Sequence, residues 1–114
     1  MKPIKKLFAV YDPTQAEQPA LERAFDIAPE ISAQLHIFAC IFAEPTKSDD
    51  EPVNVEKAIA LHRGLIDAAI AGADLGDLEV STELEWGKDW YQAVVDASVR
   101  HEADLVFKSS YKHS

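Results

Sequence analysis

Four short runs rich in apolar, β-branched and aromatic residues alternate with three stretches of helical periodicity. This alternation restricts the fold more than any other feature of the chain. The runs are IKKLFAV (4–10), QLHIFACIFA (34–43), DLEVSTELEW (77–86) and ADLVF (103–107). The first ends against Asp12-Pro13, a turn signal. In the third, Leu78, Val80, Thr82 and Leu84 alternate, which predicts a strand with one less buried face, near an edge. ADLVF reads as a buried closing strand.

Each intervening stretch carries its own helix signals. Pro19 suits a first-turn position, and Leu21, Ala24, Ile27, Ala28 and Ile31 recur at helical spacing after it. Pro29 falls inside that pattern and predicts a kink or stop. A second helix is expected over 55–74, with Ala58, Leu61, Leu65, Ala69 and Ala73 along its apolar stripe and Ile66 beside it. The third opens after Gly87 with Asp89 as N-cap, and Trp90, Val94, Ala97 and Arg100 mark its inner side. The order βαβαβαβ implies a parallel sheet with helices on its faces and right-handed crossovers. At 114 residues the chain is one domain by length.

Composition excludes some functions. A formal net charge of −9 argues against a nucleic-acid partner and against docking on anionic membranes. The apolar run Leu7–Val10 is too short for a secretory leader, and no stretch approaches a membrane span. A single cysteine, Cys40, forbids an intrachain disulfide and suits a cytoplasmic location. The segment EPTKSDDEPVN (44–54), with two prolines and an acidic cluster, reads as a solvated loop.

In a doubly wound α/β sheet ordered 3-2-1-4, the first and fourth strands are neighbours, and ligands bind beyond their carboxyl ends. Those ends are YDPTQ (11–15) and KSSYKHS (108–114).

Read together, LFAVYDPTQ, EWGKDWYQAVVDAS and HEADLVF resemble the universal stress protein (UspA-type) family. DPTQAEQPALERAFDIA is closer to the first domain of tandem E-type members. The resemblance covers nearly the whole chain and rests on the order and spacing of these pieces. It implies a Rossmann-like, adenine-nucleotide-α-hydrolase-like sheet and a cytoplasmic stress-response domain acting by binding or assembly. It also implies a continuation through a glycine-rich loop, a fourth helix and a fifth strand. The chain is therefore expected to be a fragment that ends after strand four, with a homodimer or a tandem partner domain completing it.

In nucleotide-binding members of that family, the Asp ending strand one contacts adenosine, and Asp12 matches it. Their G-x2-G-x9-G-S/T loop after strand four would begin here near Ser109 and Lys112, where glycines are absent. Glycine matters in such a loop because a Cβ obstructs backbone approach to phosphate. Asp12, Lys108, Ser109, Ser110 and Lys112 are thus the candidate nucleotide or anion crevice. Two readings stand: a module without strong ATP binding and without a cofactor, or an ATP-magnesium site with slow ATPase or signalling activity. The alternative for Asp12 is an Asx-type turn cap before Pro13.

The four histidines, His36, His62, His101 and His113, show no metal-ligand spacing with one another or with Cys40, so no metal site is expected. His101, near a helix C-terminus, complements the helix dipole. No G-x-S-x-G elbow accompanies Ser109 and Ser110, so hydrolase chemistry finds no support. Trp86, Trp90 and Tyr91 form either an exposed aromatic patch for a partner or, the favoured reading, a set of rings that pin a helix to a sheet edge.

Overall fold

The computed structural model describes residues 4–41, 55–87 and 89–108. The elements are β1 (Lys6–Tyr11), α1 (Pro19–Ile31), β2 (Gln34–Ile41), α2 (Val55–Gly72), β3 (Val80–Trp86), α3 (Trp90–Arg100) and β4 (Leu105–Phe107). The expected loop at 44–54 lies outside the described residues. The four strands are parallel and ordered β3-β2-β1-β4, as the doubly wound reading requires.

Strand alternation assigns the two faces. Leu7, Ala9, Tyr11, Leu35, Ile37, Ala39 and Ile41 point to one face and pack under α1 and α2. Phe8, Val10, Phe38 and Cys40 point to the other, where Val94 and Ala97 of α3 cover them. The Phe8 and Phe38 rings stack at 5.7 Å between centroids. Since β1 from Leu7 and β2 from Ile37 are buried on both faces, those stretches are continuously apolar, whereas edge strand β3 alternates.

Side chains set the element ends. Asp89 caps α3 by accepting a hydrogen bond from the Gln92 amide at 3.0 Å. At the other end of α3, Glu102 adopts φ 52°, and the Ala103 amide donates to the Ser98 carbonyl. This is a Schellman closure, and it leaves His101 at the C-cap. Asp104 Oδ2 accepts from the backbone amides of Lys5 and Lys6 at 2.9 and 3.0 Å. That carboxylate pins the start of β4 beside β1.

Three expectations are corrected. First, Pro29 does not end α1. The helix runs two residues further and closes with Ser32 at φ 53°. Pro29 has no amide to donate to the Phe25 carbonyl, and the helix ends within the same turn, close to the stop that the proline signalled.

Second, α2 is rotated from the predicted stripe. Ile66 is fully buried, while Leu61 and Leu65 are 61% and 51% exposed. Ile59, Ile70, Ala58 and Ala69 flank Ile66 against the core. The helix is apolar on several sides, so periodicity alone left its rotation open.

Third, β4 is not a buried strand. Leu105 and Val106 are exposed. Its three residues pair with β1 alone, and no strand lies on its outer side among the described residues. Strand limits also shift slightly: β1 takes in Tyr11, and Ile4 stays exposed before it.

The rotation of α2 yields a paired test. Ile66→Ala should lose about 2–5 kcal/mol of stability, whereas Leu65→Ala should stay within about 0.5 kcal/mol of the parent. Urea denaturation of both variants checks this, and equal losses would contradict the orientation.

Candidate functional site

Two groups of polar side chains sit at opposite ends of the sheet. The first is the carboxyl-end crevice between β1 and β4. Asp12 follows β1, and its Oδ1 accepts from the Thr14 amide at 2.9 Å and the Thr14 hydroxyl at 2.6 Å. That is an Asx turn with a second, hydroxyl contact. Gln18 holds the same loop from within. Its Oε1 accepts from the Asp12 amide, and its Nε2 donates to the Asp12 and Gln15 carbonyls. The turn-cap reading of Asp12 is therefore the geometry found.

Lys108 follows β4. Its ammonium sits 4.8 Å from the Tyr91 ring centroid and 5.6 Å from that of Trp90. These are cation–π distances, so the lysine folds over the start of α3. Trp90 packs against the Phe8 cluster and Trp86 against the opposite core, as expected of pinning aromatics. Tyr91 departs from this and is exposed. Ser109, Ser110 and Lys112, the other predicted crevice residues, lie outside the described residues.

Behind Asp12, Tyr11 points under α2 and its hydroxyl lies 3.0 Å from His62 Nδ1. Burial, helped by the Asp12 charge, pushes the Tyr11 phenol up. Burial also pushes the His62 imidazole down. Both shifts keep the pair neutral at neutral pH, and the His62 tautomer sets which of the two groups donates. Beside it, Tyr11, Gln15, Gln18, Leu21, Phe25 and Leu65 line a groove of about 450 Å³ between α1 and α2.

The second group lies toward the amino ends of the strands, on the α3 face. His36 of β2, Ser81 and Glu83 of β3, and Arg100 and His101 of α3 converge there. Glu83 Oε1 is 2.7 Å from His101 Nε2 and 3.2 Å from His36 Nε2. Glu83 Oε2 accepts from Arg100 at 2.5 Å, and Arg100 also reaches Glu85 at 3.4 Å. His36 Nδ1 lies 2.6 Å from the Ser81 hydroxyl. The two imidazoles stack with centroids 3.8 Å apart.

Burial is the main force holding the His36 imidazole below its ordinary value, partly opposed by its hydrogen bond to Glu83. His36 is thus neutral at neutral pH, and its contact with Glu83 is a hydrogen bond rather than an ion pair. Burial alone would raise Glu83. The hydrogen bonds from both histidines and the Arg100 charge outweigh it and hold the carboxyl below its usual range.

Spacing in the chain gave no sign of this second group. Its members come from three separate elements: pairing of β2 with β3 sets His36 beside Ser81 and Glu83, and the crossing of α3 over β2 adds Arg100 and His101. The one available signal was the alternation of β3, which puts Ser81, Glu83 and Glu85 on the face opposite the apolar one.

No family model and no curated protein matches this chain. Solved structures do. A putative universal stress protein from Pseudomonas aeruginosa aligns over 97% of this chain with TM-score 0.65 and 23% identity. This chain spans only 34% of that structure's length. A universal stress protein family member from Burkholderia pseudomallei aligns at TM-score 0.71 and 18% identity, covering 93% of this chain and 81% of its own. A universal stress protein in complex with cAMP aligns at TM-score 0.59 and 22% identity, covering 92% and 72% respectively. The chain therefore has the fold of universal stress protein structures. Among the described residues, no helix is long and apolar enough to cross a membrane.

The Tyr11–His62 pair gives a pH test. A histidine whose folded pKa is depressed contributes stability above its unfolded value near 6.5, and loses it as pH falls through the folded value. In chelator-treated protein, urea stability should decline from pH 7.5 to 5.5, and His62→Gln should make that decline shallower. An unchanged slope in the variant would contradict a buried neutral His62.

Proposed function

We propose that this chain is a universal stress protein domain of the cytoplasm that acts in stress response through assembly, without strong ATP binding. The observations that carry the assembly reading are an exposed apolar stripe on α3 and a strand, β4, with no partner on its outer side among the described residues. Tyr91, Val95 and Val99 recur every fourth residue along α3, and Val99 is 71% exposed. Val106 of β4 is in register with Phe8, so it points to the same side of the sheet as α3. The outer edge of β4, unpartnered among the described residues, offers backbone donors and acceptors, and together with the apolar stripe it favours pairing with a second copy of the chain.

The limited claim on ATP follows from Asp12 and Lys108. The Asp12 carboxylate is tied into its own turn, and the Lys108 ammonium rests on aromatic rings. A ligand would have to compete for both. The second reading, an adenine nucleotide at the β1–β4 crevice, draws on the cAMP complex of the similar structure and on the strand order.

Sedimentation velocity tests assembly. The account expects a dimer at high micromolar concentration that Val99→Asp shifts at least tenfold toward monomer, and a parent that stays monomeric there would contradict it. Titration with ATP and magnesium, and separately with cAMP, tests the crevice. Binding weaker than millimolar is expected, and micromolar affinity abolished by Asp12→Ala would establish the second reading instead.

A further inference from the structure

We infer that His36, Glu83 and His101 form a binding site for one divalent transition-metal ion of the zinc class. The site is distinct from the carboxyl-end crevice and independent of the assembly reading. Each residue offers one ligand atom, and the three atoms lie within 4.8 Å of one another. Two imidazole nitrogens and one carboxylate oxygen make a borderline-soft donor set suited to zinc, cobalt or nickel.

The distances fit with small adjustments. Zinc holds such ligands at about 2.0–2.2 Å, so tetrahedral ligand atoms stand about 3.3 Å apart. Glu83 Oε1 to His36 Nε2 is already 3.2 Å, while the 2.7 Å to His101 Nε2 must open slightly. The stacked rings, tilted by 29°, must also splay so that the ion lies near each ring plane. His101 is free to make most of that movement because it is half-buried at the C-cap of α3.

Neighbouring groups prepare the ligands. In the metal-free cluster His36 Nε2–H donates to Glu83. When a metal displaces that proton, Nδ1–H can donate to the Ser81 hydroxyl and so keep the ring oriented with its Nε2 lone pair on the ion. Arg100 binds the other Glu83 oxygen and leaves Oε1 aimed at both imidazoles. A single ion bridging the two nitrogens and the carboxylate takes the place of the hydrogen bonds that now join them. Arg100 opposes an added cation, but Glu83 and Glu85 together outweigh its single charge.

Three protein ligands leave one tetrahedral position open. Beside His36 and His101 lies a polar cavity of about 100 Å³, lined also by Lys6, Gln34 and Ser81. It has room for a bound water or small anion as the fourth ligand, and Lys6 supplies a positive charge on its wall.

Calorimetric titration of the full chain with zinc chloride, after removal of adventitious metal, tests the inference. One saturable site is expected, weakened at least tenfold by His101→Gln and by His36→Gln. His62→Gln should leave it unchanged, and circular dichroism shows whether each variant is folded. Long-range nitrogen NMR of the parent supplies a readout that needs no variant: zinc should shift the Nε2 resonances of His36 and His101 and spare those of His62. Absence of saturable binding, equal affinity in all three variants, or shifts confined to other histidines would overturn the site and leave a hydrogen-bonded cluster only.

Discussion

The structure depends on β1 being enclosed. It pairs with β2 on one side and β4 on the other, and both of its faces are covered. Successive residues of a strand point to opposite faces, so a strand enclosed in this way needs apolar residues at every position. LFAVY meets that demand: Leu7, Ala9 and Tyr11 serve one core, and Phe8 and Val10 the other. A shift of one residue in the β1–β2 register would exchange the two sets. It would also separate Phe8 from Phe38 and lift α3 from its seat.

The α3 face changes character along the strands. Toward the carboxyl ends it is apolar, with Val10, Phe38 and Cys40 beneath Val94 and Ala97. Toward the amino ends and β3 it becomes polar, with His36, Ser81, Glu83 and Glu85. One helix spans both regions, so its apolar first turns fix its position and its last residues deliver Arg100 and His101 to the polar part. A half-exposed ion pair such as Arg100–Glu83 adds little stability by itself. Its consequence is geometric, because it orients the Glu83 carboxylate between two imidazoles. The ligand chemistry at this end is thus a by-product of packing at the other.

Much of the fold was legible in the sequence because its signals are local. Continuous apolar runs marked β1 and β2, alternation marked β3, and Asp89 marked the start of α3. The strand order followed from topology rules once the alternation of elements was clear. The rotation of α2 was not legible, since Leu61, Leu65 and Ile66 are equally apolar and only tertiary packing chooses among them. The exposure of β4 was hidden for a related reason: LVF looks alike at the centre and at the edge of a sheet. Of the crevice, Asp12 and its turn could be read from the Asp-Pro-Thr sequence, because the contact spans two residues. The cation–π seat of Lys108 and the meeting of His36, Glu83 and His101 could not, because the first needs α3 seated on the sheet and the second needs both the β2–β3 register and the crossing of α3.

The crossing of α3 over β2 is the central claim, and proton NMR tests it most directly. The account predicts strong nuclear Overhauser effects between the ring protons of His36 and His101, and from both rings to Phe8, whose centroid lies 5.6 Å from His36 and 6.3 Å from His101. The absence of His36–His101 effects in a spectrum that shows the Phe8–Phe38 effects would contradict it.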